Sequence, residues 1–328
     1  MTASAETSAV ARSSQRRVPD FFVVGHPKSG TTALNAMLSG HPQIYIPDLN
    51  GAQFFAPELH PPPRNSDTYP DTLADYMALF EGAGQGQRAG EVSPSYLWSR
   101  AAAARIAELA PNARIIAIFR EPASFLRSLH LELLQDHIET ERDLAKAIAL
   151  DELRRQEKEK RNSTSQRGLR YGVERVRYVE QLRRYHAVFP PEQVLVLIYE
   201  DFRADNEATV RRVLRFLEVD DSAPIEVKDA NPTVFVRSPR VNQLVRSLYM
   251  GRGPAARAVK AAVKTLTPQQ LRRNGLEAFR RRALYGKPPA PDEEVMLELR
   301  RRSKGEVVAL SEYLNRDLVA FWGYDSVA

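Results

Sequence analysis

No cysteine occurs anywhere in the 328 residues. Disulfides, thiolate zinc sites, iron–sulfur clusters and cysteine nucleophiles are thereby excluded, and the redox compartment is left open. Histidine is scarce as well, at six residues. His130 and His137 stand two helical turns apart, too far for the i, i+4 ligand pairing of helical zinc sites, so no metal is predicted. Long apolar runs are also missing, and nothing approaches the roughly 20 residues that a spanning helix needs. Residues 1–18 are rich in Ala, Ser, Thr and Arg but lack the apolar stretch of a secretory signal, and read as a disordered leader. A soluble, cytoplasmic protein is the expectation. No internal repeat or low-complexity linker divides the remainder, so residues 19–328 are expected to form one domain with a helical extension from about residue 237.

What is present suits a globular enzyme with anionic ligands. The hydrophobic fraction of 43% supplies a core, and the net charge of +6 favours phosphate- or sulfate-bearing partners. Nucleic acid would feel the same field, yet the basic stretch between Arg237 and Arg282 carries no interleaved aromatics and no nucleic-acid motif. No nucleic-acid partner is expected.

The ordered chain begins with Phe21-Phe-Val-Val24, an apolar run without helical period that ends at Gly25, as a buried parallel strand does. The loop Gly25-His-Pro-Lys-Ser-Gly-Thr-Thr32 leads into a helix with Leu34, Met37 and Leu38 on one face, closed by Gly40 and Pro42. Ala101–Leu109, Leu144–Lys160 and Val173–Tyr185 read as further helices; Ile115–Phe119 and Val194–Tyr199 read as buried strands. Pro57–Pro70 reads as an exposed loop bordering a ligand site. The alternation predicts an α/β fold, a three-layer α/β/α sandwich around a central parallel sheet, P-loop-like, plus C-terminal helices.

A glycine-bearing turn between strand and helix presents backbone N–H groups and the positive end of the helix dipole to an anion. The nucleotide-binding P-loop places its lysine directly after the second glycine. Here Gly25 and Gly30 keep the glycine spacing, but position 31 is threonine and the lysine stands at position 28. This weakens a kinase reading and leaves a related anion cradle.

The segment Pro27-Lys-Ser-Gly-Thr-Thr32 resembles the 5′-phosphosulfate loop of the sulfotransferases that use 3′-phosphoadenosine 5′-phosphosulfate (PAPS), a family with bacterial and carbohydrate-type members. The resemblance implies that Lys28 contacts the bridging oxygen and offsets charge on the departing phosphate, while Ser29, Gly30, Thr31 and Thr32 hold phosphate oxygens. The family's 3′-phosphate motif, an arginine at a strand end and a serine eight residues on, is matched by Arg120 and Ser128. Arginine's planar fork suits such a phosphate, and serine adds a neutral donor. Tyr178 resembles a position near the adenine, with core packing as its structural alternative. Arg237, Ser238 and Arg240 occupy a region that often returns donors to the nucleotide, with solvated surface as the default. The likeness covers roughly Phe21 to Leu217.

The acceptor side departs from the family. Many members carry a Lys-Glu pair shortly before Phe-Phe, and the glutamate is the general base; this chain has Asn50-Gly51 there, in Asn50-Gly-Ala-Gln-Phe-Phe55. Glu91, in Gly90-Glu-Val-Ser-Pro-Ser-Tyr96, is the first substitute, ahead of Asp48 and His26. The expected reaction moves a sulfuryl group from PAPS to a hydroxyl or amine of a small-molecule, sugar or lipid acceptor. A P-loop-type kinase and a PAPS- or phosphate-binding protein with weak or no turnover stay open as alternatives.

Overall fold

The computed structural model describes residues 17–49, 51–59, 69–160, 171–172, 175–227, 235–236, 285–286 and 288–328. Asn50, most of the Pro57–Pro70 loop, Arg237, Ser238, Arg240 and the first part of the expected C-terminal extension lie outside these residues.

Five strands form one parallel sheet: β1 (Phe21–Gly25), β2 (Ile44–Tyr45), β3 (Arg88–Val92), β4 (Arg114–Phe119) and β5 (Val194–Ile198). Their order is β2-β3-β1-β4-β5, with Phe22 opposite both Glu91 and Ile115, and Ile116 opposite Leu195. The central strands β1 and β4 are near-continuous apolar runs because both faces are covered. Phe22, Val24, Ile115 and Ala117 face a layer that includes α3 (Ala102–Leu109), α6 (Tyr178–His186) and α9 (Glu293–Tyr313). Phe21, Val23, Ile116 and Ile118 face α1 (Thr31–Leu38), α7 (Tyr199–Ala204) and α8 (Asn206–Phe216) on the opposite side. Each fully buried side chain of this size contributes roughly 1.5–3 kcal/mol. Gly90 lets β3 approach β1, since a Cβ there would fall 2.0 Å from the Phe21 ring.

A third apolar cluster joins α4 (Pro122–Gln135), α5 (Leu144–Lys160) and α9 through Phe125, Leu129, Ala147 and Leu299. The expected three layers and C-terminal helices are therefore present. Two boundaries differ from the sequence reading. The helix placed at Val173 starts at Tyr178, where the Glu306 carboxylate of α9 accepts from the Val179 N–H at 2.7 Å. Tyr199, assigned to a strand end, opens α7, whose first turn holds Glu200 and Asp201 as the helix dipole favours. Among the described residues no helix is long and apolar enough to cross a membrane.

Candidate anion-binding and transfer site

In a parallel sheet, ligands gather at the carboxyl ends of the strands where the strand order reverses. Here the turns after β1, β3, β4 and β5 meet at that edge. The turn after β1 is tight: Ser29 N donates to His26 O at 3.2 Å, Lys28 has φ 65°, and Gly30 has φ 87°. Only glycine adopts this conformation cheaply, and a Cβ at Gly30 would press within 3.0 Å of Phe202 and Tyr199. The N-terminus of α1 then starts at Thr31 with no side-chain cap and no acidic residue in its first turn. Its N–H groups keep their affinity for an anion.

Cations converge on this end. The Lys28 side chain is largely buried, and burial pushes its pKa below the usual lysine range; the Glu132 carboxylate opposes that effect, while Arg120 adds to it. Arg120 reaches from the end of β4 to donate through Nη1 to the Lys28 carbonyl at 2.7 Å, and lies over the Tyr199 ring at 4.5 Å. Burial lowers its pKa as well, against the pull of Tyr199 and Glu200. Arg127, one turn into α4, is shifted down by burial and by Arg120. Among the described residues three polar atoms here are buried without a hydrogen-bond partner, His26 Nδ1, Ser29 Oγ and Arg120 Nε. Three cations and unpaired donors, drawn from the turn after β1, the end of β4 and α4, form a donor set of the kind that a multiply charged anion would complete.

Ser128 is buried on α4, two turns beyond its start. Tyr178 is fully buried and its hydroxyl donates to the Arg120 carbonyl at 2.9 Å, so it supports the arginine's backbone from the core. The His26 ring packs against Phe125 and Tyr178, with Nε2 2.8 Å from Gln181 Oε1. Burial drives its pKa down to about 3, so the ring is neutral at ordinary pH.

The acceptor flank is built differently. Gly51, with φ 79°, lies against Ser93, whose hydroxyl is 3.6 Å from where a Gly51 Cβ would stand. Ser93 Oγ donates to Glu91 Oε1 at 2.6 Å and accepts from Gln53 N at 3.2 Å; Tyr76 Oη donates to Glu91 Oε2 at 2.5 Å. Glu91 is 4% exposed, with both oxygens engaged, and burial raises its pKa. To accept an acceptor's proton directly, it would have to release one of these bonds. Asp48 is exposed on the surface before this segment.

Sequence reasoning did not single out Glu132, Arg175 or Gln181. Glu132 lies 3.9 Å from Lys28 Nζ and retains 29% side-chain exposure. It stands one helical turn beyond Ser128, and that spacing was its only signal in the sequence. His130 bonds to the Tyr171 hydroxyl at 2.7 Å and the Arg142 carbonyl at 3.1 Å, a structural role.

A family model described as "Sulfotransferase family" matches residues 19–77 and 64–223. The chain is 28% identical over 212 residues to the human bifunctional heparan sulfate N-deacetylase/N-sulfotransferase 3, covering 62% of this chain and 22% of that protein. It is 26% identical over 206 residues to the mouse heparan sulfate glucosamine 3-O-sulfotransferase 3A1, covering 62% of this chain and 46% of that one. The match thus spans less than half the length of either relative. The crystal structure of a sulfotransferase from Alicyclobacillus acidocaldarius superposes with a TM-score of 0.56 at 28% identity, over 74% of this chain and 96% of that one.

Proposed function

Because the chain belongs to the sulfotransferase family, we propose that it transfers the sulfuryl group of PAPS to a hydroxyl or amine, with the turn after β1 and the end of β4 holding the two phosphate ends of the donor. The observation that carries this reading is the pairing of Arg120 with the Lys28 carbonyl, which joins two cationic turns on adjacent strands around unpaired buried donors. PAPS supplies an activated sulfuryl group on a phosphate leaving group. Lys28 and the uncapped α1 terminus would stabilise the charge that develops on that phosphate, a contribution of about 3–4 kcal/mol for one well-placed donor. Ser29, Thr31 and Thr32 would add donors in the same turn, while Arg120 and Ser128 would hold the 3′-phosphate. Tyr178 supports this arrangement from behind, in contact with the Arg120 backbone.

On the acceptor side, Glu91 holds the wall. Through Ser93 it fixes the Gly51–Gln53 turn, and Tyr96, beside it, accepts from the Phe55 N–H at 3.2 Å. Glu91→Gln should therefore raise the KM for the acceptor and lower the melting temperature while leaving bisphosphate binding intact. A large fall in kcat at unchanged KM and melting temperature would instead make Glu91 the proton acceptor. The acceptor class favoured is a sugar hydroxyl or amine, because the matched relatives are named for heparan sulfate and glucosamine.

Thermal unfolding with added nucleotides tests the donor reading, since a ligand selective for the folded state raises the melting temperature. Adenosine 3′,5′-bisphosphate should stabilise far more than ATP with magnesium at equal concentration. Equal or greater stabilisation by ATP would replace the sulfotransferase reading with a kinase-like one. A screen of sugars, lipids and small hydroxyl compounds with labelled PAPS would then identify the acceptor.

A further inference from the structure

The site lacks the family's glutamate at position 51, yet a carboxylate stands on the other side of Lys28. From the 3.9 Å approach of Glu132 to Lys28 Nζ and its partial exposure, we infer that Glu132 is the general base of sulfuryl transfer, resting on the donor reading proposed above.

Geometry separates Glu132 from the other acidic candidates. Glu91 has both oxygens committed and is nearly sealed, and Asp48 is exposed on the surface. Glu132 points to the one lysine that the reaction places at the leaving oxygen. In an in-line displacement the attacking oxygen lies on the far side of sulfur from the leaving oxygen, within a few ångströms of both. A carboxylate beside the leaving-group lysine is within reach of that position.

The charges that face Glu132 are Lys28 from the turn after β1, Asp136 from the C-cap of α4, and Arg175 from the segment before α6. Burial raises the Glu132 pKa first; Lys28 and Arg175 pull it back, and Asp136 adds to the rise. The balance leaves the carboxylate a stronger base than a solvated glutamate, the direction a proton acceptor requires. Arg175 is itself anchored by stacking over the Trp98 ring at 3.9 Å, so one of the opposing charges is held in place.

The step balances as follows. The Glu132 carboxylate takes the proton of the acceptor hydroxyl as the acceptor oxygen bonds to sulfur. The bond between sulfur and the 5′-phosphate oxygen breaks, and its electron pair leaves with the phosphate beside Lys28. Glu132 then returns its proton to water.

Glu132→Gln keeps the shape and removes the basicity; Glu132→Asp keeps the basicity on a shorter arm. The full chain and both variants are compared by calorimetric binding of adenosine 3′,5′-bisphosphate and by PAPS consumption from pH 5 to 9, with enzyme in excess and water as acceptor. Carboxyl carbon NMR follows the Glu132 titration in the wild type. The inference expects a Glu132 midpoint above the ordinary glutamate value, and bisphosphate affinity in Glu132→Gln that is unchanged or tighter. It expects PAPS consumption in that variant to fall by about 100-fold or more and to lose its rise with pH, with a rising limb retained in Glu132→Asp. Wild-type consumption in Glu132→Gln, or a loss of bisphosphate affinity beyond tenfold, overturns the inference and leaves the donor reading standing. So does a wild type that binds the bisphosphate but leaves PAPS intact. A wild type that does neither ends the donor reading and this inference together.

Discussion

Two strand-to-helix turns stand side by side at the edge of the sheet, and they are finished in opposite ways. After β4, the Glu121 carboxylate caps α4 by accepting from Ala123 N at 3.2 Å and Ser124 N at 2.7 Å. The Tyr324 hydroxyl donates to the same carboxylate at 2.6 Å, and the Glu121 N–H reaches Glu200 at 3.3 Å. After β1, among the described residues no side chain caps α1, no acid lies in its first turn, and Ser29 Oγ is buried without a partner. Both turns follow buried parallel strands of similar sequence character. The N-terminus of α4, whose N–H groups the protein satisfies, is scaffold, whereas the N-terminus of α1 is left open to an anion from outside; Arg120, at the end of β4 between them, keeps a buried Nε unpaired and turns toward the open side.

If that contrast is right, the largest effect comes from the open turn. Lys28→Ala should lower transfer from labelled PAPS by roughly 100- to 1000-fold, while the melting temperature stays the same or rises, because a largely buried cation is removed. Full activity in this variant would break the contrast at its centre. Next comes Arg120→Ala, whose loss of a charge-assisted bond to phosphate should cost about 1.5–3 kcal/mol of bisphosphate affinity, read by calorimetry. The variant also frees the Lys28 carbonyl, so an unchanged affinity would remove Arg120 from the donor site altogether.

The closed turn should answer in stability instead. Glu121→Ala removes an N-cap and should cost about 0.5–2 kcal/mol of folding free energy in denaturant titration. If bisphosphate affinity fell more than stability did, the capped N-terminus of α4, and not only Arg120 and Ser128 on either side of it, would be part of the ligand site. The smallest effect is a dependence on pH at His26. Its folded pKa of about 3 lies below the ordinary 6.5, so its contribution is present above 6.5 and is lost as pH falls toward 3. Between pH 6.5 and 5.5 this amounts to about 1 kcal/mol. His26→Gln should flatten that portion of the stability profile relative to wild type, and an equal slope in both proteins would show that other groups carry it.

The sequence made three strands plain, because β1, β4 and β5 are nearly unbroken apolar runs of the kind that a doubly covered sheet accommodates. The two-residue β2 left no such mark, since it is too short to show a pattern. The residues around the anion cradle were legible for the same local reason: Lys28 to Thr32 are contiguous, and Arg120 and Ser128 share one strand-helix unit. Tyr178 was visible only as an aromatic on a helix, and its bond to the Arg120 carbonyl depends on how α6 lies across the sheet. Glu132, Arg175 and Gln181 escaped notice because charge and amide groups on helices are ordinarily solvated, and only packing turns them toward the turn after β1. Glu91 was found by its place at the end of β3, but its surroundings of Tyr76 and Ser93 come from segments that no spacing connects.

The attachment of residues 322–324 has a consequence for synthesis on the ribosome. Trp322 donates to Glu200 at 3.0 Å, Tyr324 to Glu121, and Arg316 pairs with Asp201, so the turns after β4 and β5 are both fastened by a segment made more than a hundred residues later. All five sheet strands have emerged once Ile198 has cleared the exit tunnel, yet the carboxylates at 121 and 200 must wait for their last partners. A nascent chain therefore carries a finished sheet with an unfastened rim. Ribosome-bound intermediates stalled before and after residue 324 has cleared the tunnel should differ at that rim in protease sensitivity while sharing the same protected strands.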